Sequence, residues 1–193
     1  SQESMMTEIF ERKKSPFYHF GKLMYLGKIP HDDFKTFISS RLPLKDVVQR
    51  EAVVEDILDF SGLHPYYTQQ LSSQVWELVT YDNITDGVVR QAIEQIVRMH
   101  DLDFERLWQN FNRPALQIML SLCTGRKPMQ NRRMATSTSY SGIKRLMKSG
   151  YLIRLNEYEI EDPFFKEWMK MMKYINCLRI LKMLILINIF NIN

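Results

Sequence analysis

The chain has 193 residues, of which 45% are hydrophobic and 25% charged, and it carries a net charge of +4 at pH 7. This composition excludes an intrinsically disordered chain, and the length allows one large domain or two small ones. The two cysteines, Cys123 and Cys177, fit no metal-binding or disulfide spacing, and no charged-then-apolar leader opens the sequence. Both features favour a cytoplasmic protein over a secreted one.

Residues 1–29 predict a short helix, a break at Ser15-Pro16 and one extended segment over residues 22–29. A lone strand needs partners, so we expect the rest of its sheet upstream of this sequence. The run 21–28 superficially resembles a phosphate-binding loop, but its glycines are one residue too far apart, and Ile29 replaces the required Ser or Thr. We therefore expect no Walker-type nucleotide site here.

Residues 30–112 predict a bundle of four helices. The first begins at Pro30, the second runs from Lys45 to Phe60 with Gly62 as its C-cap, and the third runs from Pro65 to Thr80. Thr85-Asp86 is expected to cap a fourth, long helix that continues to Phe111. The predicted apolar positions are Phe34, Phe37 and Ile38; Val47, Val48, Ala52, Ile57 and Leu58; Tyr67, Leu71, Val75 and either Trp76 or Leu78; then Val89, Ile93, Ile96, His100, Phe104, Leu107 and Phe111.

Residues 113–174 predict a winged helix-turn-helix domain. A compact helix over residues 115–123 is followed by a basic loop over residues 125–134. Hydroxyls over residues 136–139 are expected to cap the next helix, which Gly150 ends, and two short strands join at Asn156-Glu157. Helix, turn, helix and hairpin in this order are typical of a winged helix. The overall expectation is a mainly α protein with a small β-hairpin.

The last segment, residues 175–193, is built mostly of Ile, Leu, Asn, Lys, Arg and Phe. Arg179 and Lys182 interrupt it, and it is too short for a membrane span. Its bias fits a docking helix or translation past a frame disruption, and the sequence does not separate the two.

Charge is unevenly distributed, with acidic residues concentrated over residues 82–103 and basic ones over residues 126–148. The basic block contains the best candidates for nucleic-acid contact. Hydroxyls at a helix N-terminus suit phosphates and base edges, and basic side chains suit the backbone. The candidates are Ser137, Thr138, Ser139, Tyr140, Lys144, Arg145 and Lys148. A protein-interaction role for the same face is the alternative.

His64-Pro65 has two interpretations. Pro65 at the first turn of a helix, with His64 making local hydrogen bonds, is the structural one. A helix N-terminus with free amide groups and a titratable histidine directed at a nucleotide is the functional one. The sequence assembles no catalytic triad and no metal site.

The order of these segments resembles the prokaryotic ATPases of the AAA+ superfamily, in the branch described as archaeal-type or STAND-like. The run 61–67, Ser-Gly-Leu-His-Pro-Tyr-Tyr, resembles their lid signature, where Gly-Gly-His-Pro-Tyr is usual and Leu63 here takes the place of the second glycine. Residues 158–168 resemble the Asp-Pro-Phe-Phe segment that closes their winged helix. Residues 1–6 resemble the end of their sensor strand. The resemblance covers about residues 1–173.

This resemblance implies three segments: a remnant of the ATPase core (1–29), a helical lid (30–112) and a winged helix (113–174); the apolar tail (175–193) lies beyond it. The intact protein would bind ATP with magnesium, and the positions that carry over as nucleotide contacts are Ser1 or Gln2, Gly62, His64 and Pro65. The Walker A and B elements have no counterpart, so this chain alone is expected neither to hydrolyse ATP nor to bind it tightly. The implied partners are the missing N-terminal ATPase core and either double-stranded DNA or a protein, with oligomerisation left open.

The alternative is a free-standing winged-helix DNA-binding regulator whose first half serves dimerisation or sensing. A severed ATPase would leave Met5, Met6, Phe17 and residues 23–26 exposed, because the sheet that covers them is absent. A free-standing regulator would bury them.

Overall fold

The computed structural model describes residue 10 and residues 13–17, 29–128 and 135–172. These residues are mainly helical with one two-stranded antiparallel sheet, as predicted. The elements are α1 (His31–Ser39), α2 (Val47–Ser61), α3 (Pro65–Tyr81), α4 (Val88–Met99), α5 (Asp101–Asn110), α6 (Arg113–Cys123), α7 (Thr136–Lys148), β1 (Leu152–Arg154) and β2 (Tyr158–Ile160). They are followed by α8, described over residues 163–172. We call residues 31–110 the helical part, and residues 113–128 with 135–172 the C-terminal part.

Several predictions fall outside these residues. Residues 22–28 of the strand expected over residues 22–29, the tail over residues 175–193 and the candidate contacts Ser1 and Gln2 are not among the described positions. Of the apolar positions that separate a severed ATPase from a free-standing regulator, only Phe17 is described, and it is 50% exposed.

Polar caps and left-handed residues fix the helix ends. The Asp46 side chain accepts a hydrogen bond from the Gln49 N–H at 2.8 Å, and Asn112 accepts one from the Ala115 N–H at 3.0 Å. Each satisfies a backbone donor that the first turn leaves free. Gly62 ends α2 at φ +58°, which confirms its predicted role as a left-handed C-cap.

The structure corrects the buried positions that were predicted for the first two helices. α2 buries Val53, Val54, Ile57 and Leu58, whereas Val47 is 58% and Val48 81% exposed, and Ala52 is also exposed. The helix begins at Val47, and its buried residues begin only at Val53. In α1, Phe34 and Ile38 are buried but Phe37 is 55% exposed. The Arg41 guanidinium lies 3.7 Å from the centre of the Phe37 ring and covers part of it.

The prediction of one long fourth helix is wrong, because the structure has two helices in its place. α4 begins after Gly87, not at Thr85-Asp86, and ends at Met99, and α5 begins at Asp101. His100 between them has φ −97° and ψ 7°, outside the helical region. The side chain of Asp101 accepts a hydrogen bond from the Trp168 indole N–H at 2.7 Å, so the first residue of α5 contacts α8.

The hairpin is as predicted. Leu152 pairs with Ile160 and Arg154 with Tyr158, and Leu155 N–H donates to the Glu157 carbonyl across the turn. Leu152 and Ile160 are buried, so the base of the hairpin belongs to the core.

A single hydrophobic cluster extends from the helical part into the C-terminal part. Phe164 packs 5.2 Å from Phe60 of α2, and Phe165 packs 5.4 Å from Phe104 of α5, measured between ring centroids. Both phenylalanines are 1% exposed. The core therefore continues across the predicted boundary at residue 113.

Gly142 in α7 faces Ile118 in α6, and a Cβ at Gly142 would lie 2.5 Å from Ile118 Cδ1. We therefore expect Gly142→Ala to be strongly coupled to Ile118→Val, which removes that methyl group. Any helix-propensity gain from alanine is the same in both backgrounds. Relief of the overlap should therefore appear as a coupling free energy of about 1 kcal/mol or more in urea unfolding of the four proteins. Additive effects of the two substitutions would show that α6 and α7 separate at little cost.

Candidate nucleic-acid interface

Six side chains form one exposed face of α7. They recur at helical spacing, three or four residues apart, and thus lie on the same side of the helix. We call this face the α7 stripe: Ser137, Tyr140, Ser141, Lys144, Arg145 and Lys148. Tyr140 is 59% exposed, and the other five are also exposed.

The opposite side of α7 is packed against the core. Ile143 and Leu146 are 2% and 3% exposed. Ser139 lies on this side and is 1% exposed, which removes it from the predicted contacts. Thr138 lies between the two sides and is partly buried. The predicted hydroxyl cap is wrong as well, because Ala135 occupies the cap position and no side-chain capping hydrogen bond forms there.

The three cations of the α7 stripe have no carboxylate partner among the described residues. Other cations are paired: Arg90 Nη1 lies 3.1 Å and Lys170 Nζ 2.7 Å from the two oxygens of Glu167. The charges of Lys144, Arg145 and Lys148 are therefore available to an external anion, although surface cations of this kind are common.

Two consecutive segments of the chain differ in charge. Residues 30–112 contain seven Lys and Arg against fourteen Asp and Glu, while residues 113–174 contain twelve against five. The helical part is therefore acidic, and the C-terminal part is basic, with nine Lys and Arg against five Asp and Glu over residues 113–128 and 135–172. A polyanion is attracted only to the second.

The hairpin adds a cation that sequence reasoning missed. Arg154 on β1 is exposed, and its guanidinium lies 5.5 Å from the centre of the Tyr158 ring on β2. Arg154 and Tyr158 are directly opposite in the ladder. Once the strands were predicted, their register was the signal that could have placed the two together.

His64 and Pro65 lie where the sequence predicts, at the N-terminus of α3, but their neighbour is a carboxylate of the C-terminal part. His64 Nε2 lies 3.7 Å from Glu161 Oε1, and the Tyr67 hydroxyl donates to Glu161 Oε2 at 2.6 Å. The His64 ring also packs 4.7 Å from the Tyr67 ring. Glu161 thus occupies the approach to the helix terminus that was considered for a nucleotide.

Burial shapes the protonation of this contact. Burial, followed by the hydrogen bond to Glu161, raises the pKa of Tyr67 far above its usual value, so the phenol remains a donor. Burial also raises the pKa of Asp162. The hydrogen bonds that its carboxylate accepts from the Phe165 and Phe164 N–H groups act in the opposite direction and lower that pKa. Through these two hydrogen bonds Asp162 caps the N-terminus of α8.

The turn before α3 contains two consecutive residues with a left-handed backbone. Leu63 has φ +59°, directly after Gly62 at φ +58°. A left-handed backbone at a non-glycine residue costs about 1–2 kcal/mol. Leu63 is partly buried against the core, which offsets this cost.

Comparisons with known proteins add no relationship: no family model, curated protein or solved structure matches the chain. Among the described residues, no cluster of His, Cys, Asp and Glu could hold a metal ion. No helix in the same residues has the length and apolar character needed to cross a membrane.

We expect the Tyr67–Glu161 contact to stabilise the fold. Tyr67→Phe should lower the free energy of unfolding by about 1–2 kcal/mol, because Glu161 loses a buried donor. In a double-mutant cycle with Glu161→Gln, the coupling should exceed about 0.5 kcal/mol, measured by urea unfolding. Tyr66→Phe is the matched control, since Tyr66 is 60% exposed. Equal effects of the two tyrosine substitutions would contradict the assignment.

Proposed function

We propose that the C-terminal part binds double-stranded DNA through the α7 stripe. The observation that carries this proposal is a row of three cations without a carboxylate partner among the described residues, with hydroxyls and an exposed tyrosine on the same exposed helix face. A helix of this kind fits the major groove, and a hairpin that follows it directly can reach the adjacent backbone. Lys144, Arg145 and Lys148 would contact phosphates, while Ser137 and Tyr140 near the N-terminus would face base edges.

We further propose that the chain is the lid and winged-helix portion of an AAA+ ATPase. The order of the segments and the helical part that precedes the hairpin support this proposal. The 193 residues contain no phosphate-binding loop, so ATP and magnesium would be held mainly by the missing core. Gly62, His64 and Pro65 would then close over the nucleotide, with Ser1 or Gln2 at the sensor end.

The coding DNA upstream of this chain tests that second proposal. A Gly-x-x-x-x-Gly-Lys-Ser/Thr segment between a strand and a helix, in any of the three frames, would support a severed ATPase. A genuine start codon beside an unrelated neighbour would instead favour the free-standing DNA-binding regulator.

Binding of duplex DNA tests the first proposal. We expect the triple substitution Lys144→Ala, Arg145→Ala and Lys148→Ala to weaken binding about tenfold or more at 50 mM salt, for every duplex sequence tried. The slope of log affinity against log salt should become shallower by about one for each cation that contacts a phosphate. Fluorescence anisotropy of labelled duplexes between 50 and about 200 mM salt measures both.

The matched control removes three exposed cations from the helical part. Lys45→Ala, Arg98→Ala and Arg106→Ala change the net charge by the same amount but leave the α7 stripe intact. This control should bind duplex DNA almost as tightly as the original chain. Equal losses of affinity in both triple variants would show only a response to net charge. Unchanged binding in the Lys144, Arg145 and Lys148 variant would contradict the DNA contact and favour a protein partner for the α7 stripe.

A further inference from the structure

A cavity of about 640 Å³ lies between the loop after α6, the hairpin and α8. Its cationic lining consists of Arg126 and Lys127 from the loop, Arg154 from β1 and Lys166 from α8. Its volume falls in the range of small-molecule sites. The cavity shares no residue with the α7 stripe, so it is a separate feature of the C-terminal part.

The lining of the cavity keeps a net positive charge, because four cations stand against two carboxylates. Among the described residues, Arg126, Arg154 and Lys166 have no carboxylate partner, whereas Lys127 Nζ lies 2.9 Å from Glu157 Oε1. That ion pair connects the loop to the hairpin turn and neutralises one of the two acids in the lining. The other acid in the lining, Glu159, is exposed and forms no ion pair among the described residues.

The geometry of the lining favours a phosphate. Guanidinium groups present paired N–H donors that match phosphate oxygens, and two of the three unpaired cations are arginines. Arg154 is held over the half-buried Tyr158 ring, 5.5 Å from its centre, which restricts the guanidinium before any ligand arrives. Lys166 is partly buried at the start of α8, where water screens its charge less than at an open surface.

We propose that this cavity binds a phosphate group through Arg126, Arg154 and Lys166. The phosphate could come from the backbone of duplex DNA or from a small phosphate ester. The DNA source rests on the function proposed above, and the small-molecule source does not depend on it.

Titration calorimetry of the full chain with inorganic phosphate and with AMP tests the small-molecule source, and anisotropy with labelled duplex tests the DNA source. The cavity variant is Arg126→Ala with Arg154→Ala, and circular dichroism checks its fold. The α7 triple variant is run in parallel, because it should keep any binding that belongs to the cavity. Arg154→Lys retains the charge and tests whether the planar guanidinium is required.

Two results would support the site. In the first, phosphate or AMP binds the original chain and the α7 variant equally, and the cavity variant loses about tenfold or more in affinity. In the second, the small ligands do not bind, but the cavity variant weakens duplex binding and makes its salt slope shallower by about two. If the cavity variant leaves the binding of both small ligands and duplex unchanged, the site is overturned. The α7 triple variant then decides the proposed DNA contact separately.

Discussion

Burial of the aromatic face of α8 is the interaction on which the rest of the structure depends. Phe164, Phe165 and Trp168 are each at most 3% exposed, and each buried aromatic side chain contributes about 1.5–3 kcal/mol. Phe165 and Trp168 stack at 5.6 Å, and Trp168 reaches Asp101 at the start of α5. Because α8 directly follows the hairpin, the same burial fixes the hairpin relative to the helical part.

Polar contacts give this packing a defined orientation. Glu161 bonds to Tyr67 on α3, and Glu167 is only 7% exposed yet pairs with Arg90 on α4 and Lys170 on α8. A buried carboxylate without partners would be strongly destabilising, so these pairs disfavour other orientations of α8. One consequence concerns the proposed nucleotide contact: an anion approaching the α3 N-terminus would meet the Glu161 carboxylate, and the two would compete for His64.

Local signals predicted much of the fold, whereas contacts distant in sequence decided the rest. Gly62 and the hairpin could be read from turn chemistry and alternation, which act within a few residues. The break at His100 has no such local signal, and the contact seen beside it, between Asp101 and Trp168, joins residues 67 positions apart in the sequence. Ser139 was misplaced for a different reason: a hydroxyl-rich run suggested a cap, but the phase of α7 turns that serine toward the core. For the candidate site, Lys144, Arg145 and Lys148 were predictable from the basic block, while Arg154 required the strand register.

The charge difference between the two parts constrains how a duplex could approach. One continuous core joins the acidic helical part to the basic C-terminal part, so the two charged regions keep a fixed position relative to each other. DNA phosphates would be repelled by the first and attracted by the second, and within about 10 Å at 0.1 M salt these forces are only partly screened. If the C-terminal part binds DNA as proposed, a duplex would therefore approach that part and not the helical part. Such steering orients the encounter before any base is read, so sequence preference would come from the few uncharged side chains at the N-terminal end of the α7 stripe.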